Sequence, residues 1–156
     1  MDTFFIIGAK YAVFLLPLIV IIYYFATDAS IRRRLLWIGA PSLVLSYAVA
    51  KAVSHFYYNP RPFVVEHFAP LIAHVADNGF PSDHVLLAAA FAAIATYAHR
   101  RFGFYLWIIV AWVAVSRVYV GVHHPADVVG SMLIALLSTH IVYVALRRYK
   151  SAILVR

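Results

Sequence analysis

The chain has 156 residues, of which 65% are hydrophobic and 12% charged, whereas soluble domains have about 45–50% and about 25%. This length suits one domain, so we treat residues 1–156 as a single membrane-embedded unit. Because the chain has no cysteine, disulfides, thiolate metal sites and thiol nucleophiles are excluded. The net charge of +7 would suit nucleic acid only on a soluble basic face, and we expect no nucleic-acid partner.

Five segments approach the roughly 20 apolar residues that a helix needs to span a bilayer. They are Thr3 to Ala26, Leu35 to Tyr58, Ser82 to Ala98, Phe102 to Val122 and Ala126 to Leu146. We therefore predict an all-α integral membrane bundle of about five transmembrane helices. The first segment differs from a cleaved signal peptide because Lys10 interrupts it and no basic region precedes it, so we expect it to be retained.

Basic residues concentrate in three segments, each following a predicted helix: Arg32, Arg33 and Arg34; Arg100 and Arg101; and Arg147, Arg148, Lys150 and Arg156. Short cytoplasmic loops carry such an excess, which predicts that these segments are cytoplasmic and that the amino terminus lies outside. Two connectors then lie outside, from Asn59 to Pro81 and from Gly121 to Pro125. In the longer one, the apolar stretch Phe63 to Val75 suggests a short interfacial helix.

Three polar clusters occupy the predicted outer helix ends: Asn59 to Pro62, Phe80 to His84, and Ser116 and Arg117 with His123 and Asp127. Ionisable groups at membrane depth are costly and usually mark a functional site. Since two arginines, two histidines and two carboxylates converge on one face, an anionic ligand is the economical explanation.

Arg61 and Arg117 are suited to phosphate, because a guanidinium offers a planar fork of donors that matches phosphate oxygens. As alternatives, Arg61 could extend to the lipid headgroups and Arg117 could pair with a structural carboxylate. Ser82 follows a proline and precedes an apolar run, which is typical of a helix N-cap. The free amides of that first turn could bind an anion, or Ser82 and Asp83 could simply cap the helix.

His123 and Asp127 are four residues apart, so a helix starting near Pro125 would bring them close together. The carboxylate could then hold one imidazole nitrogen and leave the other facing a substrate, as in an oriented base or nucleophile. The alternative is a structural hydrogen-bonded pair.

These motifs resemble those of the type 2 phosphatidic acid phosphatase superfamily, which includes the vanadium haloperoxidases. The resemblance rests on three motifs: Arg61-Pro62; Pro81-Ser82-Asp83-His84; and Ser116-Arg117 with His123 and Asp127. The sequence around these motifs, between Tyr57 and Leu136, is similar to that of bacterial undecaprenyl-diphosphatases of the bacitracin-resistance type.

The resemblance implies a multi-pass lipid phosphatase of the bacterial inner membrane whose active site faces the periplasm. It implies that His123 is the nucleophile, Asp127 its orienting carboxylate and His84 the acid and base. Arg61, Ser82, Arg117, a lysine and the backbone amides near Asp83 would bind phosphate, with neither metal nor cofactor. The expected reaction hydrolyses undecaprenyl diphosphate through a phosphohistidine, which recycles the carrier for peptidoglycan synthesis and would confer bacitracin resistance.

The alternatives are hydrolysis of phosphatidic acid, phosphatidylglycerol phosphate or another lipid phosphate, and a nonenzymatic transporter or channel subunit. The sequence does not indicate an oligomeric state.

The chain departs from the superfamily pattern at two positions. Ser54 stands where the first motif has a lysine, and Lys51 or Lys10 could replace that lysine. Asp83 stands where many members have glycine, and we expect it to face an arginine, solvent or a bridging cation because a carboxylate repels phosphate. We interpret His67 and His74 as ordinary interfacial polarity rather than as cation ligands.

Overall fold

The computed structural model describes residues 1–154, and the side chains of residues 1–149. In that part the chain forms α1 (Asp2–Lys10), α2 (Ala12–Ala26), α3 (Ala29–Phe56), α4 (Pro62–Val65), α5 (Asp83–Ala98), α6 (Arg100–Tyr119) and α7 (Pro125–Leu154). No strand forms among the described residues, although Pro60 and Asn78 form an isolated bridge. The all-α prediction is confirmed. The side chain of Lys150 and all of Arg156, both assigned to the cytoplasm, lie outside the described residues.

The helices α3, α6 and α7 are long and apolar enough to cross a membrane, and α1 with α2 passes the same test as a pair bent by 55°. The third predicted span, α5, has only 16 residues, or about 24 Å of helix against a hydrocarbon core of roughly 30 Å. By length, the described residues therefore contain three or four spans rather than five. The multi-pass helical bundle itself is confirmed.

The short helix α5 lies at the centre of the bundle, where it packs against α2, α3, α6 and α7. Ten of its 16 residues are buried, and seven of these ten are alanines, at positions 88, 89, 90, 92, 93, 95 and 98. Such small side chains let neighbouring helices approach closely. The polar amino-terminal end of α5 is thereby held between the ends of the surrounding helices.

The first predicted helix is broken at Tyr11, which separates α1 from α2. The helix α1 bends toward α6 and packs tightly there, since a Cβ atom added at Gly8 would collide with the Ser116 hydroxyl. The Phe5 and Tyr119 rings stack 4.0 Å apart. As a result, the carboxyl end of α1 reaches the residues around Arg117.

The long connector contains one short helical turn, Pro62–Val65, so the predicted helix over Phe63 to Val75 is wrong beyond its first residues. The reason is local: His67 has a φ of 54°, a left-handed conformation that cannot continue a right-handed helix. Phe68 then packs on Gly121, where the φ of 80° favours glycine and a Cβ atom would strike the Phe68 ring. The connector is therefore fastened to the α6–α7 turn.

The described basic connectors meet at one end of the bundle. The Tyr23 hydroxyl lies 2.9 Å from His99 Nδ1, which joins the α2–α3 end to the start of α6. Arg33, Arg34 and Arg147 line one cavity between α3 and α7. The three polar clusters lie at the other end, an arrangement that agrees with the predicted separation of the basic connectors from the polar clusters.

Candidate functional site

A cavity of about 300 Å³ lies at the polar end of the bundle. Its walls come from the long connector, α3, α5, α6 and the α6–α7 turn, and they include six predicted site residues: Lys51, Arg61, Asp83, His84, Arg117 and His123. Ser82 and Asp127 lie behind these walls, both buried. The structure thus brings all three sequence motifs to one place.

The two ring nitrogens of His123 have different surroundings. Its Nε2 atom lies 3.3 Å from Arg61 Nη1 and 3.2 Å from Arg117 Nη2. Because a guanidinium can only donate, Nε2 accepts these bonds and carries no hydrogen. Its Nδ1 atom lies 2.9 Å from the Gly79 carbonyl oxygen and donates to it. The buried ring therefore presents an unprotonated Nε2 to the cavity.

The protonation state of His123 follows from its position. Burial lowers the pKa of the imidazole below its ordinary 6.5, and the charges of Arg117 and Arg61 act in the same direction, whereas Asp127 opposes them. A lowered pKa keeps the ring neutral near neutral pH. Neutral imidazole is the form that can act as a nucleophile.

Asp127 does not hold His123 as closely as its spacing suggested. Its Oδ2 atom lies 3.5 Å from His123 Nδ1, farther than the Gly79 carbonyl. The carboxylate instead accepts hydrogen bonds from Asn59 Nδ2 at 2.7 Å and from the His124 backbone N–H at 2.8 Å. Asp127 therefore places a buried negative charge beside the ring and fixes the turn before α7, while the backbone of Gly79 orients the imidazole.

Arg61 joins the long connector to the α6–α7 turn. Its Nε atom donates to Asp77 Oδ1 at 2.7 Å and its Nη1 atom to the Val122 carbonyl at 2.8 Å. Partial burial works to raise the pKa of the Asp77 carboxyl, but the hydrogen bond and charge of Arg61 outweigh it and lower that pKa. Arg61 is buried rather than extended toward headgroups, which argues against the alternative role that we considered for it.

Arg117 is buried and makes contacts from one edge of its guanidinium only. Nη2 donates to His74 Nε2 at 3.1 Å, and Nη1 donates to the Ala9 carbonyl at 3.3 Å. Among the described residues Nε has no hydrogen-bond partner and no carboxylate forms an ion pair with Arg117, contrary to the structural alternative. A buried donor without a partner costs free energy, so this guanidinium is suited to an anion.

The amino-terminal end of α5 carries Ser82, Asp83 and His84. Ser82 occupies the predicted N-cap position. Its side chain accepts no capping bond and its buried hydroxyl has no partner among the described residues, which argues against the alternative that Ser82 simply caps the helix. The Ser82 N–H donates instead to Ser131 Oγ at 2.8 Å. Asp83 is exposed at the cavity rim and His84 is half-buried in the wall.

The two candidate lysines lie in different places. Lys51 lines the cavity beside Ser54, with Nζ 5.4 Å from the centre of the Tyr47 ring. Lys10 is exposed at the end of α1 and is not part of the cavity wall. Of the two, Lys51 is the one that could contact a ligand in this cavity.

Sequence reasoning missed several residues around His123, and His74 most clearly. His74 was interpreted together with His67 as interfacial polarity, yet its ring lies 6.3 Å from that of His123, while His67 is exposed. Burial lowers the pKa of His74, and Arg61 and Arg117 lower it further, which leaves a neutral ring that accepts from Arg117. The only signal was the crowding of polar residues just before Phe80, namely His74, Asp77 and Asn78.

Comparison with known proteins gives a consistent result. The sequence profile described as the PAP2 superfamily matches residues 34–151. The chain is 31% identical over 140 residues to the undecaprenyl-diphosphatase BcrC of Bacillus subtilis (strain 168), covering 88% of this chain and 70% of that protein. It is 32% identical over 142 residues to the putative undecaprenyl-diphosphatase YbjG of Escherichia coli (strain K12), covering 88% and 71%.

A solved structure has the same arrangement of helices. The crystal structure of the first transmembrane PAP2 type phosphatidylglycerolphosphate phosphatase from Bacillus subtilis matches with a TM-score of 0.60 at 29% sequence identity. The match covers 94% of this chain and 74% of that chain.

Proposed function

The chain belongs to the PAP2 superfamily and is a membrane lipid phosphatase, and from that premise we propose that it hydrolyses undecaprenyl diphosphate to undecaprenyl phosphate and inorganic phosphate. One observation carries the proposal: the unprotonated Nε2 of His123 lies within 3.3 Å of two guanidiniums in one cavity. A phosphoryl group in that cavity would have a nucleophile on one side and donors around its oxygens.

In the first step, the Nε2 lone pair of His123 attacks the terminal phosphorus in line, and the bond from phosphorus to the bridging oxygen breaks. In the proposed complex the negative charge of the substrate favours the protonated form of His84, which gives its proton to the departing oxygen of undecaprenyl phosphate. The His123 ring becomes positive as the nitrogen–phosphorus bond forms. The buried Asp127 carboxylate, 3.5 Å from Nδ1, balances that charge.

In the second step, water attacks the phosphohistidine while neutral His84 takes its proton. The nitrogen–phosphorus bond breaks, inorganic phosphate leaves, and His123 returns to its neutral form. Arg117, Arg61 and Lys51, with the amides at the start of α5 beside Ser82, stabilise the charge on the phosphoryl oxygens. Phosphoryl transfer depends chiefly on this positioning and electrostatic stabilisation.

The diphosphate substrate is supported by the two relatives named for it and by the charge inside the cavity. Arg61, Arg117 and Lys51 contribute three positive charges, against two carboxylates, Asp77 and Asp83, at the rim. Asp77 is already paired with Arg61, and Asp83 is exposed. A second phosphate group would extend from His123 toward Lys51 and the mouth of the cavity.

We propose that the cavity faces the outside of a bacterial inner membrane. This orientation rests on the arginines gathered at the other end of the bundle, because cytoplasmic loops carry the excess of positive charge. Cysteines introduced at His67 and Arg101 test it in intact cells with a membrane-impermeant thiol reagent. Labelling at position 67 alone is expected, and labelling at position 101 alone would reverse the orientation.

A lipid panel tests the substrate. Purified protein should release phosphate from undecaprenyl diphosphate with a higher kcat/KM than from phosphatidic acid or phosphatidylglycerol phosphate. The second of these is favoured as an alternative by the structural match to a phosphatidylglycerolphosphate phosphatase. Faster release from either phosphatidyl monoester would replace the diphosphate proposal while leaving the phosphatase assignment intact.

A further inference from the structure

Charge is unevenly divided between the two ends of the molecule. Of the six acidic residues, four line the catalytic cavity or lie in the connector and turn around it: Glu66, Asp77, Asp83 and Asp127. A fifth, Asp2, accepts a hydrogen bond from the Tyr119 hydroxyl at the carboxyl end of α6. The basic end therefore has a single carboxylate, Asp28, against seven described arginines at positions 32–34, 100, 101, 147 and 148.

A cavity of about 760 Å³ opens at this basic end between the start of α3 and the last described side chains of α7. It is more than twice as large as the catalytic cavity. Its polar part contains Arg33, Arg34 and Arg147, and its apolar part contains Trp37, Ile38 and Leu146. Cationic and apolar walls in one cavity fit a ligand that has an anionic head and a hydrocarbon tail.

The three guanidiniums keep most of their donors available. Arg34 uses one donor on Ser30 Oγ at 3.3 Å, and Arg147 uses one on the Tyr143 hydroxyl at 3.4 Å, both long for hydrogen bonds. Arg33 has no hydrogen-bond or ion-pair partner among the described residues. The single nearby carboxylate, Asp28, accepts from Ser30 and from the Ile31 backbone N–H, and its pKa is lowered chiefly by the Ser30 hydrogen bond, with a smaller effect of Arg34. Since a guanidinium has five donors, the arginines can hold a phosphate together.

We propose that this cavity binds one anionic phospholipid of the phosphatidylglycerol class. The phosphodiester lies among Arg33, Arg34 and Arg147, and an acyl chain runs along Trp37, which is 65% exposed. Basic pockets between membrane helices bind lipid headgroups in this way. A zwitterionic lipid fits less well because its ammonium group would meet an excess of arginines.

The site is distinct from the proposed catalytic cavity and lies at the opposite end of the bundle. A lipid bound here comes from the other leaflet and is not a substrate, because no histidine lines this cavity. It bridges α3 and α7, two helices that also supply Lys51 and Asp127 to the catalytic end. The lipid therefore acts as a structural ligand that joins these helices.

Fluorescence of Trp37 tests the proposal directly. Phosphatidylglycerol with brominated acyl chains is titrated into purified full-length protein in neutral detergent, and the signal of a Trp37→Phe variant is subtracted to isolate Trp37. Brominated phosphatidylglycerol should quench Trp37 at lower concentration than brominated phosphatidylcholine. The preference is the ratio of the phosphatidylcholine and phosphatidylglycerol concentrations that give half-maximal quenching. This ratio should fall about fivefold for each arginine removed in the Arg34→Gln and Arg147→Gln variants and in the variant that carries both changes.

The matched control is the Arg100→Gln/Arg101→Gln pair, which removes two charges from the same end without altering the cavity wall, and it should keep the preference. Phosphate release and gel filtration show that each variant is folded. Equal quenching by the two lipids in the unmodified protein, or equal losses in the control and cavity variants, would overturn the proposal. Should the double cavity variant fail to purify, Arg33→Gln gives the same comparison with one charge removed.

Discussion

The Nδ1 atom of His123 donates to the carbonyl oxygen of Gly79 at 2.9 Å, and this backbone contact sets the tautomer of the proposed nucleophile. Space at Gly79 is limited, because an added Cβ atom would lie 3.0 Å from the Asn59 carbonyl oxygen and 3.1 Å from Asp127 Oδ2. The Gly79 N–H also donates to the Asn59 carbonyl oxygen at 2.8 Å, which fixes the backbone at this residue. In many catalytic triads a carboxylate has this role.

Asp127→Asn should accordingly reduce kcat by only about 10- to 100-fold. In a serine protease triad the same change costs about 10⁴-fold because it leaves the histidine in the wrong tautomer, whereas Gly79 preserves the tautomer here. The remaining loss reflects the missing negative charge beside a phosphorylated ring. Steady-state phosphate release measures it, and a loss of about 10⁴-fold would assign orientation of the ring to the carboxylate.

His74→Ala should lower kcat/KM by about 10- to 100-fold, because a hydrogen bond to a charged group contributes about 1.5–3 kcal/mol. Without His74 Nε2 as its acceptor, Arg117 loses one of the contacts that position it beside His123. His67→Ala is the matched control, since His67 lies on the same connector but is exposed. Equal effects of the two substitutions on kcat/KM would show that His74 does not contribute to the site.

His84→Ala should lower kcat by about 10²- to 10⁴-fold, the usual contribution of a general acid or base. The loss should be greater with a phosphatidyl monoester than with a lipid diphosphate, because an alkoxide is a poorer leaving group than a phosphate and needs the proton more. Parallel assays on both substrates give this comparison. An equal loss on both would indicate that His84 does not protonate the leaving group.

The acid limb of the pH–rate profile should report His123. Burial, aided by Arg117 and Arg61, lowers the pKa of this ring below 6.5, so activity persists at neutral pH and is lost only as the pH falls through the lowered value and Nε2 becomes protonated. Asp127 opposes this shift, and Asp127→Asn should therefore move the limb to still lower pH. Comparing the two enzymes on one substrate cancels the titration of the substrate itself. A limb that moves to higher pH in the variant would contradict the assignment.

Much of the site could be predicted from the sequence because its chemistry is concentrated in short motifs. Arg61, Arg117, His84 and His123 are rare residue types in a strongly apolar chain, and the helix pattern placed them at one end. The same reasoning failed for His74, because the path of an irregular connector depends on long-range contacts. Leu71 N–H bonds to the Val120 carbonyl at 3.1 Å, for example, which no local pattern indicates.

The fold, like the site, could be predicted from the sequence only in part. Long apolar runs predicted α3, α6 and α7, while the break at Tyr11 was not foreseen because α1 turns to pack on α6 through Gly8. Likewise, the four-residue spacing of His123 and Asp127 predicted their proximity but not the nearer Gly79 carbonyl. That contact depends on where the long connector ends relative to α7, and it is set by the Asn59 and Asn78 hydrogen bonds that close the connector.

The central claim is that Nε2 of His123 forms a bond to phosphorus. Mixing the purified protein with undecaprenyl diphosphate labelled with ³²P at the terminal phosphate, and quenching in alkali within one turnover, should trap label on the protein, since phosphohistidine survives base and is lost in acid. Peptide mapping should place the label on His123, and a His123→Asn variant should carry none. Complete product release in the first turnover without labelled protein, or label on another residue, would contradict the account.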